Sequence, residues 1–372
     1  MYRAVSLRRL TRTVAVTTAV TGAALAAAAC SPAAPTATLN GGTVTVTGSA
    51  ARDLIAVTMN TNELAVNFGS DNTIDARFPR AQIQRVQVQA NEGDDAVTVS
   101  GAGVGDVPLS VSGSIGKDAV TVRGNVGDRG AGDAPVSING DDGNDNLVAI
   151  VPGPVTVQAG AGDDSVRAGG AGVGQETIFL GAGNDRLVSS LGSQLGSRND
   201  IVDGNGGRDT MEVDGSVTSE TLTLSTASFG HLIIDHDDSF DDDDPDRIDA
   251  DNVEDVKWFG LGGSPADGAG DTIVVDDLLA TDVFEFTPDF SSGRGTAAPN
   301  NSSDTLIMRG TPDIDFFVVG VFRPNTISVG GTLAMTAVFL QPDDLLRIDT
   351  LEGDDLVDSA SLPAGLVQFE VR

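Results

Sequence analysis

Residues 157–169 read VQAGAGDDSVRAG, and residues 178–190 read IFLGAGNDRLVSS. Both run an aliphatic strand into a glycine turn, an aspartate and a second strand. Glycine supplies tight turns and aspartate supplies oxygen ligands, so recurrence decides between turn chemistry and a cation site. The template Gly, any residue, Asp, any residue, aliphatic occurs seven times, at Gly93, Gly116, Gly143, Gly162, Gly183, Gly207 and Gly353. From Asp95 to Asp209 its aspartates fall at intervals of 23, 27, 19, 21 and 24 residues, which is repeat behaviour.

A longer repeat frames the first. GSAARDLIAV at Gly48, GSVTSETLTL at Gly215 and GTPDIDFFVV at Gly310 share Gly, Ser or Thr, three free positions, an acid and alternating apolar residues. The first and third copies then reach NEGDDAV (91–97) and LEGDDLV (351–357). Asp53 to Asp95 spans 42 residues and Asp315 to Asp355 spans 40, close to two short periods. A coil of about 20 residues with strands separated by glycine turns cannot bury enough by itself, so neighbouring coils must stack.

The expected fold is therefore all-β: a parallel β-solenoid of the β-roll or β-helix kind, with short strands, Gly/Asp turns and little helix outside a signal segment. The competing architecture is an antiparallel sandwich, but its hairpins would not need aspartate at one fixed phase. The spacing divides the chain into a signal at 1–29, a tether at 30–40 and a solenoid with GxD repeats at 41–214. A second repeat module at 215–309 carries an acidic insert at 235–246, and a third follows at 310–372.

Composition narrows the function classes. With 22 basic and 54 acidic residues, the formal charge of −32 repels nucleic acid and anionic membranes and concentrates cations. Adjacent strands lie about 4.8 Å apart. Calcium takes oxygens at about 2.3–2.6 Å, so two oxygens across one ion match the rise between coils. Without metal, carboxylates about 5 Å apart repel by roughly 3 kcal/mol at an effective dielectric near 20. Ion binding would then contribute folding free energy. Asp95, Asp145, Asp164, Asp185, Asp209 and Asp355 are the expected carboxylates.

The stretches GAGDDSV (160–166), GAGNDRL (181–187), GDDGNDNL (140–147) and GNGGRDTM (204–211) resemble haemolysin-type, or RTX, calcium-binding repeats. The resemblance implies a β-roll with Ca2+ between successive turns. It also implies Asp145, Asp164, Asp185 and Asp209 as side-chain ligands, with Gly143, Gly160, Gly162, Gly181, Gly183 and Gly207 providing close backbone. It covers residues 91–211, with fainter echoes at 48–60 and 310–359. Asp200 and Asp209 keep the nine-residue interval of that family, but most coils carry one box, which implies metal turns on one side only. Lys117 beside Asp118, and Arg198 in place of a glycine, mark two coils expected to be metal-free.

Arg3, Arg8, Arg9 and Arg12 precede an apolar run, Val14–Ala29, that ends in LAAAAC at Cys30. This resembles a bacterial lipoprotein signal with Cys30 lipidated; an ordinary cleaved secretory signal is the alternative. Either directs the mature chain out of the cytoplasm, to the cell envelope or beyond. Cys30 is the only cysteine, so an internal disulfide is excluded. The acidic insert reads as a solvated loop, His231 and His236 as loop or surface residues, and Trp258 as a packing residue.

The expected function is an exported, calcium-binding, non-enzymatic protein with a structural, adhesive or envelope-associated role. Its expected partners are calcium ions and a cell surface or polysaccharide; nucleic acid is not expected, and membrane contact comes only through a lipid anchor. The alternative is a β-helix carbohydrate-active enzyme of the lyase or epimerase type. Two histidines and one tyrosine in the chain weigh against it.

Overall fold

The computed structural model describes residues 33–372 apart from 125–133, 170–173, 191–198, 216–218, 239–245, 261–268, 295–301, 314, 324–325, 331–333, 339 and 353. Residues 1–29, read above as a signal, together with Cys30, Arg198, Gly353 and most of the acidic insert, lie outside the described residues. The chain opens with β1 (Thr36–Asn40) and β2 (Thr43–Thr47), followed by a meander of β3 (Leu54–Met59), β4 (Glu63–Phe68) and β5 (Ala76–Pro79). Twelve alternating strands follow: β6 (Arg85–Gln89), β7 (Ala96–Ser100), β8 (Leu109–Ile115), β9 (Ala119–Arg123), β10 (Val136–Asp142), β11 (Asn146–Ile150), β12 (Val155–Ala161), β13 (Ser165–Ala168), β14 (Glu176–Ala182), β15 (Arg186–Ser190), β16 (Asn199–Gly206) and β17 (Thr210–Asp214). A second meander, β18 (Glu220–Thr226), β19 (Leu232–Asp238) and β20 (Asp246–Asp251), leads to β21 (Asp255–Phe259), β22 (Ala269–Val275), β23 (Glu285–Asp289) and β24 (Ser303–Arg309). The third meander, β25 (Phe316–Arg323), β26 (Thr326–Gly330) and β27 (Ala334–Val338), precedes β28 (Leu345–Asp349), β29 (Leu356–Ser361) and β30 (Gln368–Val371).

These strands form two sheets of 15. One is ordered β1-β2-β6-β8-β10-β12-β14-β16-β20-β19-β18-β22-β24-β28-β30. The other is β29-β25-β26-β27-β23-β21-β17-β15-β13-β11-β9-β7-β3-β4-β5. Each regular coil contributes one strand to each sheet and pairs in parallel with the coils before and after it, as expected of a solenoid. Among the described residues, antiparallel pairing is confined to the β1–β2 hairpin and the three meanders. Each meander opens on one copy of the longer repeat, so that repeat marks where the regular winding is interrupted.

Period-two alternation explains the packing, because a strand with valine at every second position turns all its valines to one face. Stacking in register then lines those faces up. Val111, Ile138, Val157, Ile178 and Val202 are consecutive neighbours across five strands of the first sheet. Val97, Val120, Leu147, Val166, Leu187, Met211, Val256 and Phe286 do the same in the second. All are buried and belong to one continuous core. Each such side chain contributes roughly 1.5–3 kcal/mol relative to exposure, available only when a neighbouring coil covers it. Trp258 is buried as expected, with its ring 5.8 Å from Phe290 in an edge-on contact.

Candidate metal centre: the acid columns

The corner leading into the second sheet has the same backbone in six successive coils. Four residues before the aspartate the chain turns left-handed, at Asn91, Ser114, Asp141, Gly160, Gly181 and Asn205. Two residues before it stands a glycine with φ between 127° and 149°, at Gly93, Gly116, Gly143, Gly162, Gly183 and Gly207. A side chain is excluded there twice over: by the dihedral angle, and because a Cβ on Gly143 would overlap the carbonyl oxygen of Gly116 in the coil before. Gly143→Ala should therefore cost about 3 kcal/mol or more, read as a lowered melting temperature. A variant melting with the parent would refute this account of the turn.

The turn points each aspartate inward, and the aspartates form a single file. The backbone N–H of Asp53 donates to Asp95 Oδ1 (2.6 Å), that of Asp95 to Asp118 Oδ1 (2.8 Å), and that of Asp118 to Asp145 Oδ1 (2.8 Å). The file continues from Asp145 to Asp164 (2.7 Å), Asp164 to Asp185 (2.7 Å) and Asp185 to Asp209 (2.8 Å), and ends where Asp209 donates to Glu254 Oε2 (2.7 Å). Asp315 donates in the same way to Asp355 Oδ1 (2.8 Å) at that corner. Thus Asp95, Asp145, Asp164, Asp185 and Asp209, predicted from sequence, share one column, and Asp355 belongs to a separate short one. Asp118 has the same geometry as its neighbours, while Lys117 is exposed.

Sequence reasoning missed a second column at the opposite corner, where the chain enters the first sheet. Glu220 N–H donates to Asp271 Oδ1 (3.1 Å), Asp271 to Asp304 (2.8 Å) and Asp304 to Asp344 (3.0 Å); further back, Glu176 donates to Asp200 (2.7 Å). Buried acids thus line both corners, while the GxD turn belongs to one of them. The acids at the opposite corner lack the positive-φ glycine two residues earlier, but their signal was present as an acid, one residue and an aliphatic, in ETI, DIV, ETL, DTI, DTL and DLL. Also missed was an exposed ladder at the middle position of GxD. There Asp94, Asn144, Asp163 and Asn184 side chains accept N–H groups of Lys117, Asp163, Asn184 and Arg208 in the next coil.

The columns are electrostatically incomplete. Asp95, Asp118, Asp145, Asp164, Asp185, Asp209 and Asp271 each have a second carboxylate oxygen that is buried without a hydrogen-bond partner. Burial pushes the carboxyls of Asp95 and Asp164 up to about 6 and those of Asp145 and Asp209 up to about 7. Neighbouring carboxylates add to the rise, and only backbone N–H groups oppose it. Asp271, beside Asp304 and Glu220, reaches about 8, and Asp344 about 7. Glu212 shows the contrast: burial alone would raise it, but hydrogen bonds and charge from Arg186 and Arg294 hold it below its usual value. In the first column, Asp95, Asp118, Asp145, Asp164, Asp185 and Asp209 have no such basic partner among the described residues.

The surrounding donors are all oxygen. The vacant Cβ positions of Gly113, Gly140 and Gly204 face Asp118, Asp145 and Asp209 Oδ2 respectively, together with a carbonyl oxygen of the following coil. The carbonyls of Gly116, Gly143, Gly162 and Gly183 point at the next glycine along the stack, and those of Asp141 and Gly160 at Gly160 and Gly181. At Asp118, Asp145 and Asp209 an unpartnered carboxylate oxygen beside a backbone carbonyl is a hard-cation donor set, and it fits calcium. No group of three or more His, Cys, Asp or Glu side chains converges on one point among the described residues, so backbone carbonyls would supply much of any coordination shell. His231 contacts Asp249 (2.8 Å), and His236 is buried within 3.4 Å of Glu220. No family model matches the chain, and neither the characterised proteins nor the solved structures contain a significant match to it.

Proposed function

We propose that this protein is an exported, non-enzymatic structural rod whose acid columns take up calcium between coils. The observation that carries the reading is the row of buried, unpartnered Oδ2 atoms in a corner lined by backbone carbonyls. Asp95, Asp118, Asp145, Asp164, Asp185 and Asp209 would hold the ions in the first column. Asp271 offers the same unpartnered oxygen in the second column, where Asp344 Oδ2 instead accepts the Gln341 N–H (2.6 Å), and Asp355 would serve in the short one. A bound cation supplies the counter-charge that the chain withholds from these acids. Likeness to haemolysin-type repeats at 140–147, 160–166, 181–187 and 204–211 supports the choice of ion, and the basic, apolar leader ending at Cys30 supports export and a lipid anchor. An adhesive or envelope-associated role follows from a long, acidic, repetitive surface.

Calorimetric titration of the metal-free protein with CaCl2 should reveal several binding events per chain; their complete absence at millimolar calcium would remove the calcium half of the reading. A proton is the competing counter-charge, favoured by the burial that raises these carboxyls. It predicts no calcium heat and the same pH sensitivity.

A further inference from the structure

The two ends of the rod are complementary. Among the described residues, β1 and β5 have no outer neighbour at one end, and β30 and β29 have none at the other. Such edges expose rows of backbone donors and acceptors and are templates for pairing. Both sheets contain 15 strands, so a single translation along the stack, with the accompanying twist, brings β30 of one copy beside β1 of the next and β29 beside β5.

The internal repeat fixes what β5 should pair with. The segment β3–β7 has the topology of β25–β29: a meander, one strand in the opposite sheet, then, after a GDD sequence, a strand returning to the meander's first strand. In the later copy the outer edge of β27 is occupied by β23, in parallel. In the earlier copy the equivalent edge, on β5, is free.

Register can be carried across strand by strand. Val57 pairs with Val66 and Val66 with Ala76; Val319, the same distance beyond its acid, pairs with Val329 and Val329 with Met335. Ala76 is therefore equivalent to Met335, whose partner is Phe286. Phe286 is in register with Val256, two residues beyond the column acid Glu254, and Val357 lies two beyond Asp355. Val357 of one copy then falls opposite Ala76 of the next, and the following pair is Asp358 opposite Arg77. Ala76 and Val357 both lie against the core. Arg77 and Asp358 are both exposed, so the carried-over register sets opposite charges face to face.

We propose that the chain assembles head to tail with copies of itself, β29 adding in parallel to β5 with Arg77 opposite Asp358. The interface is heterologous and leaves one free end of each kind, so it propagates as a filament. Like net charge of −32 on every copy opposes the joint, and salt screens that repulsion, so association strengthens as salt rises.

Sedimentation velocity on the full chain at about 0.05 and 0.5 M NaCl should show concentration-dependent association, greater at high salt. Arg77→Asp and Asp358→Arg should each weaken it about tenfold, and the double variant should restore it. In a Cys30→Ser background, mixing Arg77→Cys chains with Asp358→Cys chains under mild oxidation should give disulfide-linked pairs that neither chain gives alone. A monomer at every concentration and salt, association indifferent to both charge reversals, or cross-linking of like chains would each overturn the proposal.

Discussion

In metal-free buffer the protein should lose stability as pH rises from 5 to 8, by more than about 10 °C in melting temperature, and calcium should restore it. The sign follows from the direction of the shifts. Asp95, Asp145, Asp164 and Asp209 have folded-state carboxyls raised from 3.8 to about 6 or 7. Their favourable contribution is complete below the unfolded value and is lost as pH climbs through the folded one. A rise of two to three units corresponds to roughly 3 to 4 kcal/mol for one group. Several such groups share a column, so the combined effect exceeds that of any single surface ion pair. Glu212 titrates below its usual value and is ionised throughout this window. A melt that is flat from pH 5 to 8 without calcium would mean that the buried oxygens find counter-charge elsewhere.

Asp145→Ala and Asp145→Asn should part company. Alanine removes the acceptor for the buried Asp118 N–H and leaves Asp145's own N–H bonded to Asp164. An orphaned buried donor costs about 1–3 kcal/mol, and the emptied corner adds to it, so a loss of about 3 kcal/mol is expected. Asparagine keeps an acceptor oxygen at Oδ1 and discards the buried charge. At pH 8 in chelator it should be at least as stable as the parent, while in calcium it should lose one binding event and gain less in melting temperature. Equal destabilisation by both substitutions, with and without calcium, would contradict a column whose difficulty is charge. Urea or thermal denaturation followed by far-UV circular dichroism measures both arms.

Much of this was legible in the sequence because stacking makes equivalent residues recur. The GxD phase located the first column from Asp95 to Asp209, and the alternating valines of VTVQA and AVTVS announced strands with one buried face. The second column was not legible by the same rule. At Asp271, Asp304 and Asp344 the chain enters the sheet without the left-handed glycine turn, so only an acid followed by an aliphatic two residues later remains as a mark. The longer repeat was visible as a repeat but not as a meander. What makes β4, β19 and β26 run antiparallel is the reversal at their turns, and the acid that opens each copy looks the same whether the next strand winds on or folds back. Nor could spacing reveal that Oδ1 is occupied by a neighbour's N–H while Oδ2 is left alone, since that depends on the inward tilt imposed by the corner.

The most direct test is a diffraction structure of the protein grown at saturating calcium, with anomalous scattering used to locate the ions. The account predicts a file of calcium sites along Asp95, Asp118, Asp145, Asp164, Asp185 and Asp209, about 4.8 Å apart, each with a column Oδ2 in its coordination shell. Ordered corners with those oxygens in place and no ion beside any of them would contradict it.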